Sequence, residues 1–187
     1  ESKHDHITLY LNKGFKLIYN DVRKFGFLKL FESKNVLQCK HLKLLGPEPL
    51  TKEFNLKYIN KCFLYRKKTI KDLLMDQKFI AGIGNIYCNE VLFLSKIKPY
   101  RISCNIKKKE LINVIRYTKK ILKNSIMQGG SSIKNFADTE GKNGNFQKDF
   151  NVYNREKEKC KTKKCLGFIK KIYISSRSSF FCPRCQK

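Results

Sequence analysis

Four cysteines near the C-terminus constrain this chain more than any other feature. Cys160, Cys165, Cys182 and Cys185 follow the spacing C-x4-C-x16-C-x2-C. Two close pairs separated by a hairpin-length insert make the pattern of a structural Zn²⁺ site. Each pair presents two thiolates from a tight turn, and two turns close a tetrahedral shell. Thiolate is a soft ligand, and four of them leave no position open for a substrate. The insert runs Leu166-Gly167-Phe168-Ile169-Lys170-Lys171-Ile172-Tyr173-Ile174, then a polar turn, then Ser179-Phe180-Phe181, which predicts a β-hairpin. Nothing else nearby is large enough to hold such a hairpin. The metal is therefore expected to supply most of the local folding energy, on the order of 10 kcal/mol or more. A disulfide pair is the competing reading. The other cysteines, Cys39, Cys62, Cys88 and Cys104, stand singly in apolar segments and argue against it, reading as buried, reduced thiols of a cytosolic protein.

The chain has 187 residues, room for one large or two small domains. With 14 Phe and 9 Tyr it can build real cores. No apolar run approaches the roughly 18 residues of a membrane span, and the polar start Glu1-Ser2-Lys3-His4-Asp5-His6 has no signal-peptide pattern. A cytoplasmic location, away from membranes, is the expectation. Its 41 basic and 15 acidic residues give a net charge of +26. Such an excess implies a polyanionic partner, although a general enrichment in Lys, Asn and Ile contributes to it. Charge alone does not separate DNA from RNA or acidic lipid.

Alternation in residues 6–11 and 15–19 about Asn12-Lys13-Gly14 predicts a hairpin. Gly26–Phe31 reads as a further strand, after the polar loop Asn20-Asp21-Val22-Arg23-Lys24-Phe25. Residues 1–44 thus resemble the last strands of a β-rich unit, too few to enclose a core alone. Leu45-Gly46-Pro47-Glu48-Pro49-Leu50 reads as a linker. Beyond it the period becomes helical. Thr51–Arg66 carries Phe54, Tyr58 and Phe63 on one side. Thr69–Met75 is a short helix with Thr69 as N-cap and Asp72 at N3. Residues 85–95 form another helix. Glu110–Met127 is the longest, striped by Leu111, Val114, Ile115, Ile121 and Leu122 and stopped at Gly129-Gly130. The fold class is α+β.

Ala81-Gly82-Ile83-Gly84-Asn85 places two glycines at a helix start, where backbone can approach an anion closely. A tight helix–helix turn explains the same pattern, but the basic lead-in Arg66-Lys67-Lys68-Thr69-Ile70-Lys71 favours a phosphate clamp on duplex DNA. Arg23 and Phe25 put a cation and a flat apolar side chain on one loop, a pairing suited to a probe pushed into a base stack. Taken alone, a phenylalanine is more often core than wedge.

Together these segments become specific. Asp76–Phe93, containing Ala81-Gly82-Ile83-Gly84-Asn85-Ile86-Tyr87, resembles the helix-two-turn-helix signature of the formamidopyrimidine-DNA glycosylase family. So do His4-Asp5-His6, Asn20–Gly26, Leu45–Leu50, Gly129-Gly130-Ser131-Ser132 and the tail Arg177–Gln186, in family order. The resemblance implies the end of an N-terminal β-sandwich (1–44), a linker (45–50), a helix-two-turn-helix domain (51–150) with a lesion-capping loop (131–147), and a zinc finger (151–187). It implies a monomeric base-excision repair enzyme that flips an oxidised purine from duplex DNA, cuts its glycosidic bond and nicks the abasic strand by β,δ-elimination. Carried over residue by residue, Asn85 is the phosphate-gripping asparagine, with Lys71 and Lys67 as basic partners upstream. His4 and Arg23 are DNA-binding, Arg23 facing the orphaned base with Phe25 wedged beside it. Arg177 grips the damaged nucleotide's phosphates and is assigned to δ-elimination.

Three departures accompany the match. The family's nucleophile, an N-terminal proline amine followed by glutamate, and a further first-domain lysine have no counterpart among the 187 residues. Glu1 precedes His4 by only three residues and is not that glutamate. This chain is expected to be inactive alone, because a Schiff base needs that amine. The first cysteine pair is spaced by four residues, where two is usual. Ser175-Ser176 replaces the usual glycine pair and is expected to restrict the turn that sets Arg177. Two alternatives stay open: a non-catalytic zinc-stabilised DNA-binding module, and a glycosylase of the sister family acting on oxidised pyrimidines.

Overall fold

Lys13 and Gly14 both adopt left-handed backbone, φ 61° and 76°, and this reverses the chain between two antiparallel strands. β1 spans Asp5–Tyr10 and β2 spans Lys16–Asn20, paired from Asp5↔Asn20 to Tyr10↔Lys16. The computed structural model describes residues 2–132 and 143–187. It separates into two units, residues 1–43 and 44–187. In the first unit no described residue is buried; Ile7, Leu9, Leu17 and Leu28 remain exposed. The expected third strand at Gly26–Phe31 does not form. Alternation shows only that a segment could lie on a pleated surface. A strand also needs a free neighbouring edge, and these residues pair with none among those described. The unit ends in a short helix, α1, at Lys40–Lys43.

The second unit is helical with a β-hairpin. α2 covers Leu56–Phe63, α3 Ile70–Leu74, α4 Asn85–Leu94 and α5 Lys108–Met127. α2 is shorter than its hydrophobic pattern predicts, because the Asn55 side chain caps it by accepting from the Tyr58 amide at 3.0 Å. Phe54 is buried all the same, from the extended side of that cap. Thr69 caps α3 as expected, accepting from the Asp72 amide at 3.1 Å. The α5 stripe is realised, with Leu111, Val114 and Ile121 buried and Ile115 and Leu122 packed on them.

α4 is the organising element. Its Cys88, Val91 and Leu92 enter a core with Phe54, Ile59, Ile70 and Phe79. Phe93 faces a second core of Val152, Ile169, Phe180 and Cys182. A helix apolar on opposite faces belongs between two layers. Within it the buried Glu90 carboxylate accepts from the backbone amides of Asn151, Val152 and Tyr153, each at 2.9 Å. This fixes the chain's approach to the cysteines.

The C-terminal hairpin pairs β3, Lys170–Ile174, with β4, Arg177–Phe181, in the register Ile174↔Arg177 to Lys170↔Phe181. Ser175 and Ser176 at the turn are both left-handed, φ 47° and 62°. The serine pair thus holds the turn with Arg177 opposite Ile174. The hairpin does not hang on a metal alone, as the sequence led one to expect. Phe180 lies against Phe93 and Val152 in the second core, a tertiary surface that local reading cannot see. Of the single cysteines only Cys88 is buried; Cys39 and Cys62 are half-buried and Cys104 is exposed, all four as free thiols.

Candidate nucleic-acid interface and metal centre

The two-glycine turn is held by its own backbone and by the Gln77 side chain. Asp76 O accepts from the Phe79 and Ile80 amides at 2.8 and 3.0 Å. The Gln77 side chain straddles the glycines, accepting from the Gly82 amide at 2.7 Å and donating to Ile83 O at 3.0 Å. Gly82 sits at φ +81°, where a side chain is strained. Gly84 then leads into α4 with no side-chain cap. The first-turn amides of α4 are left for an outside acceptor, and the helix dipole makes an anion the favoured one.

Three side chains tie this turn to the hairpin. Asn85 Nδ2 donates to Ser178 O at 3.1 Å. Lys71 Nζ donates to the same carbonyl at 2.7 Å and to Ser179 Oγ at 2.6 Å. Asn89 Oδ1 accepts from the Phe180 amide at 2.7 Å, while its Nδ2 donates to Asn85 O at 2.6 Å. Residues 178–180 of β4 are thereby fixed against α3 and α4, and Arg177, immediately before them, projects exposed. It lines a cleft with Lys68, Asp72 and Asp76. Lys71 is only 1% exposed. Burial, with the Arg177 charge nearby, brings its pKa down to about 8. Its Nζ is taken up by the hairpin through those two hydrogen bonds, whereas Lys67 is exposed.

His4, Arg23 and Phe25 belong to the first unit. His4 O accepts from the Asp21 amide at 3.1 Å. The Arg23 guanidinium lies 5.2 Å from the centre of the Phe25 ring, and Phe25 is 79% exposed. Most of the expected capping loop, residues 133–142, lies outside the described residues. Its base is described: Gln147 Oε1 accepts from the Ser132 amide at 3.1 Å, and Gln147 Nε2 donates to Gly144 O at 2.6 Å.

The four sulfurs of Cys160, Cys165, Cys182 and Cys185 all lie within 4.8 Å of one another. Cys160–Cys185 is 3.7 Å and Cys165–Cys182 is 3.8 Å. Those separations are too long for a disulfide, whose sulfurs sit about 2.05 Å apart. A thiolate tetrahedron about a metal at ~2.3 Å has edges of about 3.8 Å. Amides of Thr162 and Gly167 donate to the Cys160 and Cys165 sulfurs at 3.4 and 3.3 Å, the arrangement that stabilises thiolates. The four-cysteine cluster is fit to hold a metal ion.

Residues 45–137 match the formamidopyrimidine-DNA glycosylase H2TH domain. The chain is 40% identical to the formamidopyrimidine-DNA glycosylase of Haemophilus influenzae, covering 99% of this chain and 67% of that one. The chain belongs to the formamidopyrimidine-DNA glycosylase family. The family's protein from Prochlorococcus marinus is 45% identical over 99% of the chain, and that from Roseobacter denitrificans 38% identical over 99%. The chain spans 63% and 65% of these two relatives. The Lactococcus lactis Fpg, solved with DNA containing an abasic site, superimposes with a TM-score of 0.91 at 37% identity, covering 100% of this chain and 68% of that one. MutM solved with DNA containing carbocyclic 8-oxo-G gives 0.89 at 37% identity, covering 100% and 67%. Within this family frame, Gln77, Asn89 and Glu90 are supporting residues that sequence reasoning passed over. The signal was an Asn-Glu pair inside an otherwise apolar helix, where polar side chains survive burial only with partners. No helix among the described residues is long and apolar enough to cross a membrane.

Proposed function

We propose that this chain serves the base-excision repair of oxidised purines, gripping duplex DNA at 8-oxoguanine, formamidopyrimidine or abasic sites. The whole protein would act as a glycosylase and abasic-site lyase. The observation that carries this reading is the fastening of β4 to the two-glycine turn by Lys71, Asn85 and Asn89. It brings an exposed arginine beside an uncapped helix start, two phosphate-seeking groups on one rigid support. Asn85, with the first-turn amides of α4, takes the phosphate of the damaged nucleotide. Arg177 clamps the neighbouring phosphate and assists δ-elimination, and Lys67 adds a basic contact. Lys71 supports this grip from beneath. His4 and Arg23 hold the strands in the first unit, and Phe25 fills the stack.

One Zn²⁺ would be held by Cys160, Cys165, Cys182 and Cys185. It supplies no catalytic chemistry; it closes the two knuckles and so steadies the base of the hairpin. Nothing in this chemistry needs a membrane, and a cytoplasmic or nucleoid location follows from the substrate.

The reading is tested by competition binding with duplexes that differ only by one tetrahydrofuran abasic analogue. Preference for the modified duplex, lost in Arg177→Ala, is the expected result. Equal affinity for both duplexes, unchanged by the substitution, overturns it.

A further inference from the structure

The loop between β2 and residue 27 is more highly organised than an exposed loop needs to be. Asp21 Oδ1 accepts from the Arg23 and Lys24 amides at 3.0 and 2.9 Å. Asp21 Oδ2 accepts from the Gly26 amide at 2.7 Å and from the Tyr19 hydroxyl at 3.2 Å. One carboxylate thus takes four donors, three amides of the six-residue reversal and one hydroxyl from β2, using both oxygens. The loop is also pinned from β1, where His6 Nε2 lies 2.9 Å from Asp21 O. Lys24 is held left-handed at φ 54°, a conformation costly for a residue with a Cβ and maintained by its surroundings. Gly26 passes so close to Tyr19 that a Cβ there would overlap the hydroxyl. The hydrogen bonds, that from Gly26 foremost, keep the Asp21 pKa below the usual carboxylate range. On this frame Arg23 stacks over Phe25, whose ring stands 79% exposed.

We infer that Asp21 is a positioning residue that pre-organises Arg23 and Phe25 as a rigid wedge for insertion into the base stack of duplex DNA. The inference rests on the DNA-binding reading above and adds to it a residue that touches no nucleotide. A flexible loop carrying an exposed phenylalanine would lose its ordering entropy on every insertion. A loop already closed around one carboxylate has lost it during folding. The requirement is chemically narrow. Oδ1 and Oδ2 each face backbone N–H groups, so both must be acceptors. Asparagine supplies one acceptor and one donor, and with Oδ1 on Arg23 and Lys24 its amide nitrogen meets the Gly26 N–H, donor against donor.

The test uses the full chain and a duplex carrying a tetrahydrofuran site flanked by 2-aminopurine, whose fluorescence rises when a wedge unstacks it. Wild type should give the rise, and Phe25→Ala should abolish it. Asp21→Asn should give a rise roughly threefold smaller, with affinity for the modified duplex roughly 3- to 10-fold weaker. Tyr19→Phe, which removes one of four donors, should keep most of the signal. A wild-type rise in Asp21→Asn overturns the inference. So does a bound wild-type chain that gives no rise, which removes Phe25 as a wedge. Failure of the wild type to bind any duplex instead removes the DNA reading itself, and the inference with it. Amide hydrogen exchange separates positioning from folding: in Asp21→Asn the Gly26 amide should exchange faster while Leu9 and Leu17 in the strands stay protected. Loss of protection along both strands would assign Asp21 to the hairpin and overturn the positioning role.

Discussion

At the scale of single residues, the buried Lys71 decides how the hairpin is seated, and its charge carries a pH signature. Its pKa is about 8 in the folded chain against a usual 10.5. Between those values the unfolded chain binds the extra proton, so stability contributed by this residue rises with pH across roughly pH 8 to 10.4. Lys71→Met keeps the aliphatic length and removes the charge and donors. Denaturant melts of both proteins at pH 7, 8.5 and 10 should show the wild type gaining on the variant as pH rises. A constant difference across that range would refute the depressed pKa of a buried Lys71. The serine turn makes a second residue-scale prediction. Two left-handed serines are strained where Asn-Gly is not, so Ser175→Asn with Ser176→Gly should raise stability by about 1 kcal/mol, read as a higher denaturation midpoint.

Among the elements, the hairpin has two adjoining anchors. The cysteine cluster holds its ends, and Phe180, with the Asn89–Phe180 hydrogen bond, holds the last residues of β4 against α4. If the cluster holds the proposed Zn²⁺, a chelator should release the knuckles around Cys160–Cys165 and Cys182–Cys185 and loosen β3 and β4. The helical core of Phe54, Ile70, Leu92 and Val114 should stay folded. Far-ultraviolet circular dichroism should change little, while amide exchange accelerates in residues 160–185. Concerted unfolding of α2 to α5 on chelation would show that the two cores are one cooperative unit. Asn89→Ala attacks the other anchor. It strips the buried Phe180 amide of its acceptor and should cost about 1–3 kcal/mol.

The whole molecule carries a net charge of +26, and duplex binding should be steeply salt-dependent. Each lysine–phosphate contact contributes a slope of roughly −0.9 in log affinity against log salt. Lys67→Gln should reduce that slope by about one, whereas Asn85→Ala should lower affinity and leave the slope intact, because an uncharged donor releases no counterion. Equal slopes for wild type and Lys67→Gln would remove Lys67 from the interface. Borohydride trapping on abasic duplex addresses the chemistry. The 187-residue chain should trap weakly, since ordinary lysines of pKa about 10.4 are almost wholly protonated at neutral pH. Efficient trapping would place a competent amine among its own residues.

Much of this protein was legible in its sequence because the determinants are local. Cysteine spacing announces a cluster of four thiols fit for a metal whatever surrounds it. Thr69 and Asp72 cap α3 through bonds three residues apart, and the apolar period of α5 selects its buried face. The family motifs are short runs of the same kind. The tertiary structure alone decided that residues 26–31 form no strand, that Asn55 starts α2 after Phe54, and that the hairpin leans on α4. It alone decided that Lys71, Asn85 and Asn89 meet β4 across 107, 93 and 91 residues of chain. A pattern of side chains sets which face an element buries. Which partner satisfies a buried amide or ammonium depends on what the folded chain carries to within 3 Å of it, and no local period encodes that distance.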